Sequence, residues 1–202
     1  MCVGSSIVEQ SLFQVEDGGA IPTSTLQLRL KEINKLTASN FYKRWHYLGE
    51  TDFISTINYG AYYDGWLVGV ISYGSPNAKK MRGLYDENTQ DGWWEIKRLA
   101  MTDDMPKNSE SRFIAISTKL LRKSFKVVGM ITLADDGVGH TGTIYRASGF
   151  EYKGLTAKKS DYVKDGKKVQ RGKVSGTGGE WVDRSQKHLF VKQWGGSNEG
   201  LR

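Results

Sequence analysis

Residues 93–155 alternate strand, helix, strand, helix, strand, and this order restricts the fold more than any other feature of the chain. Trp93–Met101 (WWEIKRLAM) reads as a strand that ends at an Asp-Asp-Met-Pro turn. An amphipathic helix begins at Asn108 or Ser109, with Phe113, Ile116, Leu120 and Leu121 on one side and Lys119, Arg122 and Lys123 elsewhere. Val127–Ala134 is an apolar strand that runs into Asp135-Asp136-Gly137. A second helix spans about Thr141 to Ala147 and stops at Gly149, and Phe150 and Tyr152 open the next strand. Strands joined through helices in this way form parallel units with right-handed crossovers.

The preceding segment adds antiparallel strands. Ile57–Tyr63 and Trp66–Tyr73 flank Asp64-Gly65, a dipeptide suited to the type I′ turn of a two-residue hairpin. Before it, Thr37 or Ser39 caps a helix that carries Phe41, Trp45 and Leu48 on one face and stops at Gly49. Lys187–Trp194 (KHLFVKQW) reads as a last strand. The fold class is therefore α+β, a mixed sheet flanked by helices. Residues 1–25, rich in Ser, Gly and acids, form an arm. Residues 26–194 form the domain, and 195–202 a tail.

Charge narrows the function. Lys and Arg number 29 against 22 Asp and Glu, a net charge of +7 that favours an acidic partner such as nucleic acid. The excess is concentrated in an added basic hairpin at 153–174. There Lys153, Lys158, Lys159, Lys164, Lys167, Lys168, Arg171 and Lys173 face only Asp161 and Asp165 around an Asp165-Gly166 turn. Lys164, Lys167, Lys168 and Arg171, with Lys79, Lys80 and Arg82 from the polar loop between Gly74 and Gly92, suit phosphate contacts that position DNA without reading its sequence. A single cysteine, Cys2, excludes a disulfide framework and a Cys-rich zinc site. No apolar run is long enough to span a membrane, and no charged leader precedes an apolar block, so a soluble intracellular protein without membrane partners is expected. The three histidines, His46, His140 and His188, have no spacing that demands a metal site, although a metal is not excluded.

Two segments resemble the GCN5-related N-acetyltransferase fold. One is the Trp93–Met101 strand leading through a short loop into a capped helix. The other is Thr143-Ile144-Tyr145-Arg146-Ala147-Ser148-Gly149-Phe150, which is similar to that family's Tyr-x-Lys-x-Gly-Phe helix ending. A narrower resemblance covers most of the chain. The runs Trp45-His46-Tyr47, Tyr59-Gly60-Ala61-Tyr62, Gly69-Val70-Ile71-Ser72-Tyr73-Gly74, Glu95-Ile96-Lys97-Arg98-Leu99, Lys107-Asn108-Ser109-Glu110-Ser111-Arg112 and Gly142-Thr143-Ile144-Tyr145 resemble the Mom family of bacteriophage DNA-modification proteins. That resemblance implies an acetyltransferase-like enzyme that converts adenine N6 in DNA to a carbamoylmethyl (acetamido) derivative. It would protect phage DNA from restriction and work in the cytoplasm of the infected bacterial host. The rival readings are an ordinary amine N-acetyltransferase using acetyl-coenzyme A, and a DNA-binding module without catalysis.

The resemblance also distributes roles. His46, at the end of the first helix, would act as base or, less readily, as a metal ligand, and Tyr47 would stack on a flipped-out adenine. Apart from the resemblance, Asp135 and Asp136 lie at the C-terminal end of a parallel strand, where one would orient His46 or bind substrate and the other be a turn residue; Asp135 is taken for the site. Tyr145 holds the position of the family's general acid. Arg98 in the central strand, with Ser109, Ser111 and Arg112 at the following helix start, would hold the donor. The loop before that helix lacks the two glycines that ordinary members use against the coenzyme A pyrophosphate and carries Asp103 and Asp104 instead. Acetyl-coenzyme A and a glycyl carrier both remain candidate donors.

Overall fold

The computed structural model describes residues 23–49, 52–76, 91–169 and 178–194. Residues 1–22 of the expected arm (1–25), the tail at 195–202, Lys79, Lys80, Arg82 and Arg171 lie outside the described residues. In chain order come β1 (Arg29–Ile33), α1 (Lys35–Trp45), β2 (Ile57–Tyr63), β3 (Trp66–Gly74), β4 (Trp93–Met101) and α2 (Ser109–Ser124). They are followed by β5 (Gly129–Asp135), α3 (Thr143–Ala147), β6 (Glu151–Leu155), β7 (Ser160–Lys164), β8 (Lys167–Lys168), β9 (Glu180–Asp183) and β10 (Lys187–Gln193).

Seven strands form one mixed sheet in the order β1-β2-β3-β4-β5-β10-β6, and β8-β7-β9 form a second, small one. Asp64 and Gly65 take φ of 47° and 82°, the left-handed pair that a type I′ turn requires, and β2 and β3 pair antiparallel around them. Among the described residues β4 and β5 are the only parallel neighbours in the large sheet, and they touch over just three pairs, Trp93↔Gly129, Trp94↔Met130 and Glu95↔Ile131. At the bottom of that contact the Trp93 ring lies over Gly129, where an added Cβ would sit 2.5 Å from the ring. Just above it, the pairing of β3 with β4 skips a residue: Ser72 faces Arg98 and Tyr73 faces Ile96, which leaves Lys97 as a bulge. A bulge bends its strand and increases local twist, so β4 leaves β5 after Glu95.

Helix α1 covers one sheet face and α2 with α3 the other. Ala38, Phe41 and Tyr42 pack with Phe53, Val70 and Ala100, while Phe113, Ile114, Leu121 and Tyr145 join Tyr59, Tyr73, Met130 and Phe190 in the larger core. A buried polar chain locks α1 to the sheet. Tyr42 Oη bonds Ser72 Oγ at 2.8 Å, Ser72 Oγ donates to Asn58 Oδ1 at 2.6 Å, and Tyr42 also reaches the Arg98 carbonyl at 3.2 Å. On the opposite face Tyr73 Oη bonds Ser117 Oγ of α2 at 2.7 Å. Each polar tip is satisfied, so burying these rings costs little.

Several sequence expectations change in detail. The first helix is capped by Asn34, whose side chain accepts from the Thr37 amide, not by Thr37 or Ser39, and it ends at Trp45, so Leu48 lies beyond it. The second helix of the 93–155 unit starts at Thr143 rather than Thr141, because Gly142 takes φ 74°. β1 arises from a polar stretch that shows no strong alternation. β6 does not lie beside β5, since β10 from the end of the chain inserts between them. The basic hairpin forms at Asp165-Gly166, but β9 also pairs with β7 to make a three-stranded sheet.

Gly142 is a sharp point of this packing. A Cβ there would sit 2.2 Å from the Phe190 ring, and its φ is one that alanine resists. Gly142→Ala is expected to destabilise the chain by about 2–4 kcal/mol, the sum of a left-handed alanine and local overpacking. For a domain of this size that lowers Tm by roughly 5–15 °C. A thermal melt unchanged within experimental scatter would contradict this placement of β10 under α3.

Candidate active site

Beyond their short contact, β4 and β5 enclose a cavity of about 460 Å³. β4 supplies one wall through Glu95, Ile96, Lys97, Arg98 and Leu99. Leu133, Ala134 and Asp135 of β5, with residues 139–145, supply the other, and His46, Tyr47 and Leu48 close over from the end of α1. The sequence-expected His46, Tyr47, Arg98, Asp135 and Tyr145 all line it, although they come from four separate segments.

His46 follows the last residue of α1, where the backbone turns extended and Gly49 closes a turn on the His46 carbonyl. Its ring packs edge-on against Tyr42 and stacks on Tyr47 at 4.5 Å, while Tyr47 meets His140 edge-on at 5.1 Å. Burial, then the charge of Arg98, then His140, pull the His46 pKa down to about 4, so the ring is neutral near pH 7. The Leu48 amide donates to Nδ1 at 3.2 Å, which puts the proton of the neutral ring on Nε2. In this tautomer Nε2 is a donor. A base role requires His46 first to release the Leu48 amide. Tyr47 is 46% exposed and holds the cavity mouth. Burial and the charge of Asp135 raise its pKa.

Asp135 caps a short 3-10 turn at 136–138. It accepts from the Gly137 amide at 3.1 Å and pairs with Lys187 Nζ at 3.3 Å. Burial alone would raise its pKa, but Ser185, Lys187 and the Gly137 amide together outweigh it and hold the carboxyl below the usual range. No hydrogen bond joins Asp135 to His46 among the described residues, so the expected orienting role falls instead to the Leu48 amide. Arg98 is buried, with its guanidinium over the faces of Phe53 at 5.0 Å and Tyr42 at 5.7 Å. Tyr145 is buried against Phe150 and Phe190, and burial raises its pKa.

The expected donor residues at the α2 start do not join the cavity. Ser109 Oγ donates to the Pro106 carbonyl at 2.6 Å and Ser111 Oγ to the Asn108 carbonyl at 3.0 Å, so both hydroxyls serve the helix start. Neither they nor Arg112 lines the cavity, whereas Glu110 does. Glu95, Lys97, His140 and Lys187 also line the cavity, though nothing in their local sequence singled them out. The bulge at Lys97 and the insertion of β10 place three of these, and neither feature has a local sequence signal. No group of His, Cys, Asp and Glu among the described residues is arranged to hold a metal ion. No described helix is long and apolar enough to cross a membrane.

Comparison with known proteins follows the same lines. The model of the Mom protein family matches residues 27–194. The methylcarbamoylase mom of Escherichia phage Mu is 30% identical over 142 residues, which are 68% of this chain and 58% of that relative. The match thus spans less than two thirds of the relative's length. Among solved structures, the aminoglycoside acetyltransferase AAC(6')-Ib in complex with coenzyme A superposes with a TM-score of 0.53 at 12% identity, covering 82% of this chain and 94% of that one. Arabidopsis thaliana NAA60 in complex with acetyl-CoA gives 0.52 at 13% identity, covering 84% and 99%. The chain has the acetyltransferase fold expected from its sequence.

That fold implies coenzyme A, and the residues at its usual pyrophosphate cradle do not fit it. The β4–α2 connection, 102–108, contains no glycine and carries Asp103 and Asp104. Asn108 occupies a left-handed conformation, φ 73°, with no side-chain cap. The serine hydroxyls are taken, and the helix-start residue that reaches the cavity is the carboxylate Glu110. Like charge there opposes a diphosphate.

The histidine geometry sets a pH signature. The folded-state pKa of His46, about 4, lies below its unfolded value near 6.5, so the unfolded chain binds the extra proton first. Stability from the neutral ring is complete above pH 6.5 and is lost as pH falls toward 4. His46→Gln should flatten that part of the stability profile, and the His46 ring should titrate near pH 4 by NMR. A His46 inflection between pH 6 and 7 would contradict the burial beside Arg98.

Proposed function

The chain belongs to the Mom protein family, and from that premise we propose that it is a transferase that modifies adenine in DNA. It would carry an acetamido (carbamoylmethyl) unit to N6, and the modified bases would shield phage DNA from host restriction. The observation that carries this reading is the cavity mouth, where an exposed tyrosine stacks on a neutral histidine above buried Arg98 and carboxylate Asp135.

The chemistry follows from the base and from these residues. The lone pair of adenine N6 is delocalised into the ring, and stacking hides it in duplex DNA, so the base must leave the helix to react. Tyr47 offers a ring face for the extruded adenine, and stacking of this kind contributes about 1–3 kcal/mol per base. His46, with Nε2–H as donor, fixes the base edge through one of its ring nitrogens. As the N6–carbon bond forms, N6 becomes strongly acidic, and a carboxylate held ionised, Asp135, is basic enough to take the released proton. Tyr145, kept protonated by burial, donates to the departing group. The donor is a two-carbon unit whose carrier is not a diphosphate bound at the α2 start. A glycyl ester balances the transfer: N6 bonds the glycyl methylene carbon as that carbon's bond to the amino nitrogen breaks, the amino nitrogen takes the carbonyl from the ester oxygen, and the carrier leaves as its alcohol with the proton that Tyr145 supplies.

DNA from cells expressing the chain should contain deoxyadenosine heavier by one acetamido substituent, detected by nucleoside mass spectrometry. Tyr47→Ala should lower the modified fraction about tenfold or more, from loss of one stacking contact. Unmodified deoxyadenosine with the wild-type chain, together with tight acetyl-coenzyme A binding by calorimetry, would establish the ordinary amine acetyltransferase instead. Lys167→Ala with Lys168→Ala should weaken DNA binding and flatten its dependence on salt.

A further inference from the structure

The small sheet carries more than charge. Trp181 is 62% exposed, although it belongs to a regular strand. Its Cα partner across the ladder is Tyr162, and the two rings meet edge-to-face at 5.4 Å. Tyr162 is buried, and its hydroxyl accepts the Gly179 amide at 2.9 Å. The indole is therefore braced by one ring contact while most of its surface stays open to solvent. Such a ring gives up little conformational freedom when a flat partner stacks on it.

The neighbours of Trp181 suggest what that partner is. Directly opposed residues in an antiparallel ladder share a face, as do residues two apart in one strand. Tyr162↔Trp181 and Lys164↔Lys167 thus place Trp181, Lys164 and Lys167 on one face. Both lysines are exposed, and no described acid pairs with either. Directly opposed like charges disfavour the hairpin unless an anion lies between them. The acid on that face, Asp183, is held by Ser160 Oγ at 2.6 Å. An aromatic face beside two unneutralised ammonium groups matches the base-and-phosphate repeat of a nucleic acid strand.

The small sheet is also tied to the cavity. Arg184 bonds back to it through its amide to the Lys159 carbonyl at 2.8 Å and through Nε to Asp161 at 3.2 Å. Ser185 then hydrogen-bonds Asp135, and Lys187 lines the cavity. Three residues, 184–186, separate the end of β9 from the cavity wall at Lys187.

We infer that Trp181 is a second base-stacking contact, seated on a nucleobase of the DNA substrate next to the extruded adenine, with Lys164 and Lys167 on the flanking phosphates. The inference rests on the DNA-modification reading and extends it from the cavity to the small sheet. It separates two physical contributions. Stacking releases no counterions, so Trp181 adds affinity without altering salt dependence, whereas the lysines set the slope.

The full chain and its variants should be titrated with a fluorescent duplex, and with the same duplex bearing one unpaired adenine, at several salt concentrations. Trp181→Ala is expected to bind about tenfold or more weakly at every salt concentration, giving a line parallel to wild type, with the larger loss on the unpaired adenine. Lys164→Ala with Lys167→Ala should instead lower the slope of log affinity against log salt by about 1.8, from two phosphate contacts. Trp181→Phe keeps a ring on Tyr162 and should stay within about threefold of wild type, which distinguishes a stacking loss from a folding loss. If Trp181→Ala melts normally, binds both DNAs like wild type and still modifies adenine, this inference falls and the function stands. If the wild-type chain neither binds nor modifies DNA, the function falls and takes this inference with it.

Discussion

Everything specific to this molecule depends on how briefly β4 and β5 stay together. Two parallel strands in the middle of a sheet normally pair along their length, because unpaired backbone groups there are costly. Here the contact stops after three residue pairs, and the bulge at Lys97 turns β4 away. The fold offsets the lost ladder on both sides: β3 holds β4 through Met101, and β10 holds β5 from Gly129 to Asp135. The opening is therefore built into strand order, and no loop movement is needed to create it.

What enters that opening is decided by the charges around it. Arg98 and Lys97 on the β4 side, Lys187 beside Asp135, and the carboxylates Glu95 and Glu110 give a cavity with both signs and no single anionic or cationic field. Glu95 is matched by Lys97 at 2.6 Å and Asp135 by Lys187, which keeps these buried charges compensated. The mouth is aromatic. There Tyr47, His46 and His140 present aromatic faces, with His46 Nε2–H as a ring donor, a chemistry suited to a flat heterocycle.

The sequence showed the local elements well and the long-range ones poorly. The hairpin at Asp64-Gly65, the amphipathic α2 and the strands around it follow from periodicity and turn chemistry that act within a few residues. His46, Tyr47, Arg98 and Tyr145 could be named because they match family motifs, and Asp135 because it ends a parallel strand. Which of them meet depends on strand order, and the insertion of β10 between β5 and β6 joins segments more than thirty residues apart in the chain. Ser109 and Ser111, expected either to contact the donor or to serve the helix start, bond back to the chain beside a left-handed Asn108, a conformation with no local sequence signal. Trp181 escaped notice for a similar reason. Nothing near it in sequence shows that β9 returns to pair with the basic hairpin, which puts the indole beside two lysines.

The central claim is that the space between β4 and β5 receives a nucleobase, and one measurement addresses it without relying on turnover. The side-chain resonances of His46 and Tyr47 can be followed as the chain is titrated with DNA carrying a single unpaired adenine, and with the same DNA abasic at that position. The account predicts that both rings shift with the adenine and stay still with the abasic site. Shifts confined to the small basic sheet, identical for the two DNAs, would mean that DNA is bound but no base enters the cavity.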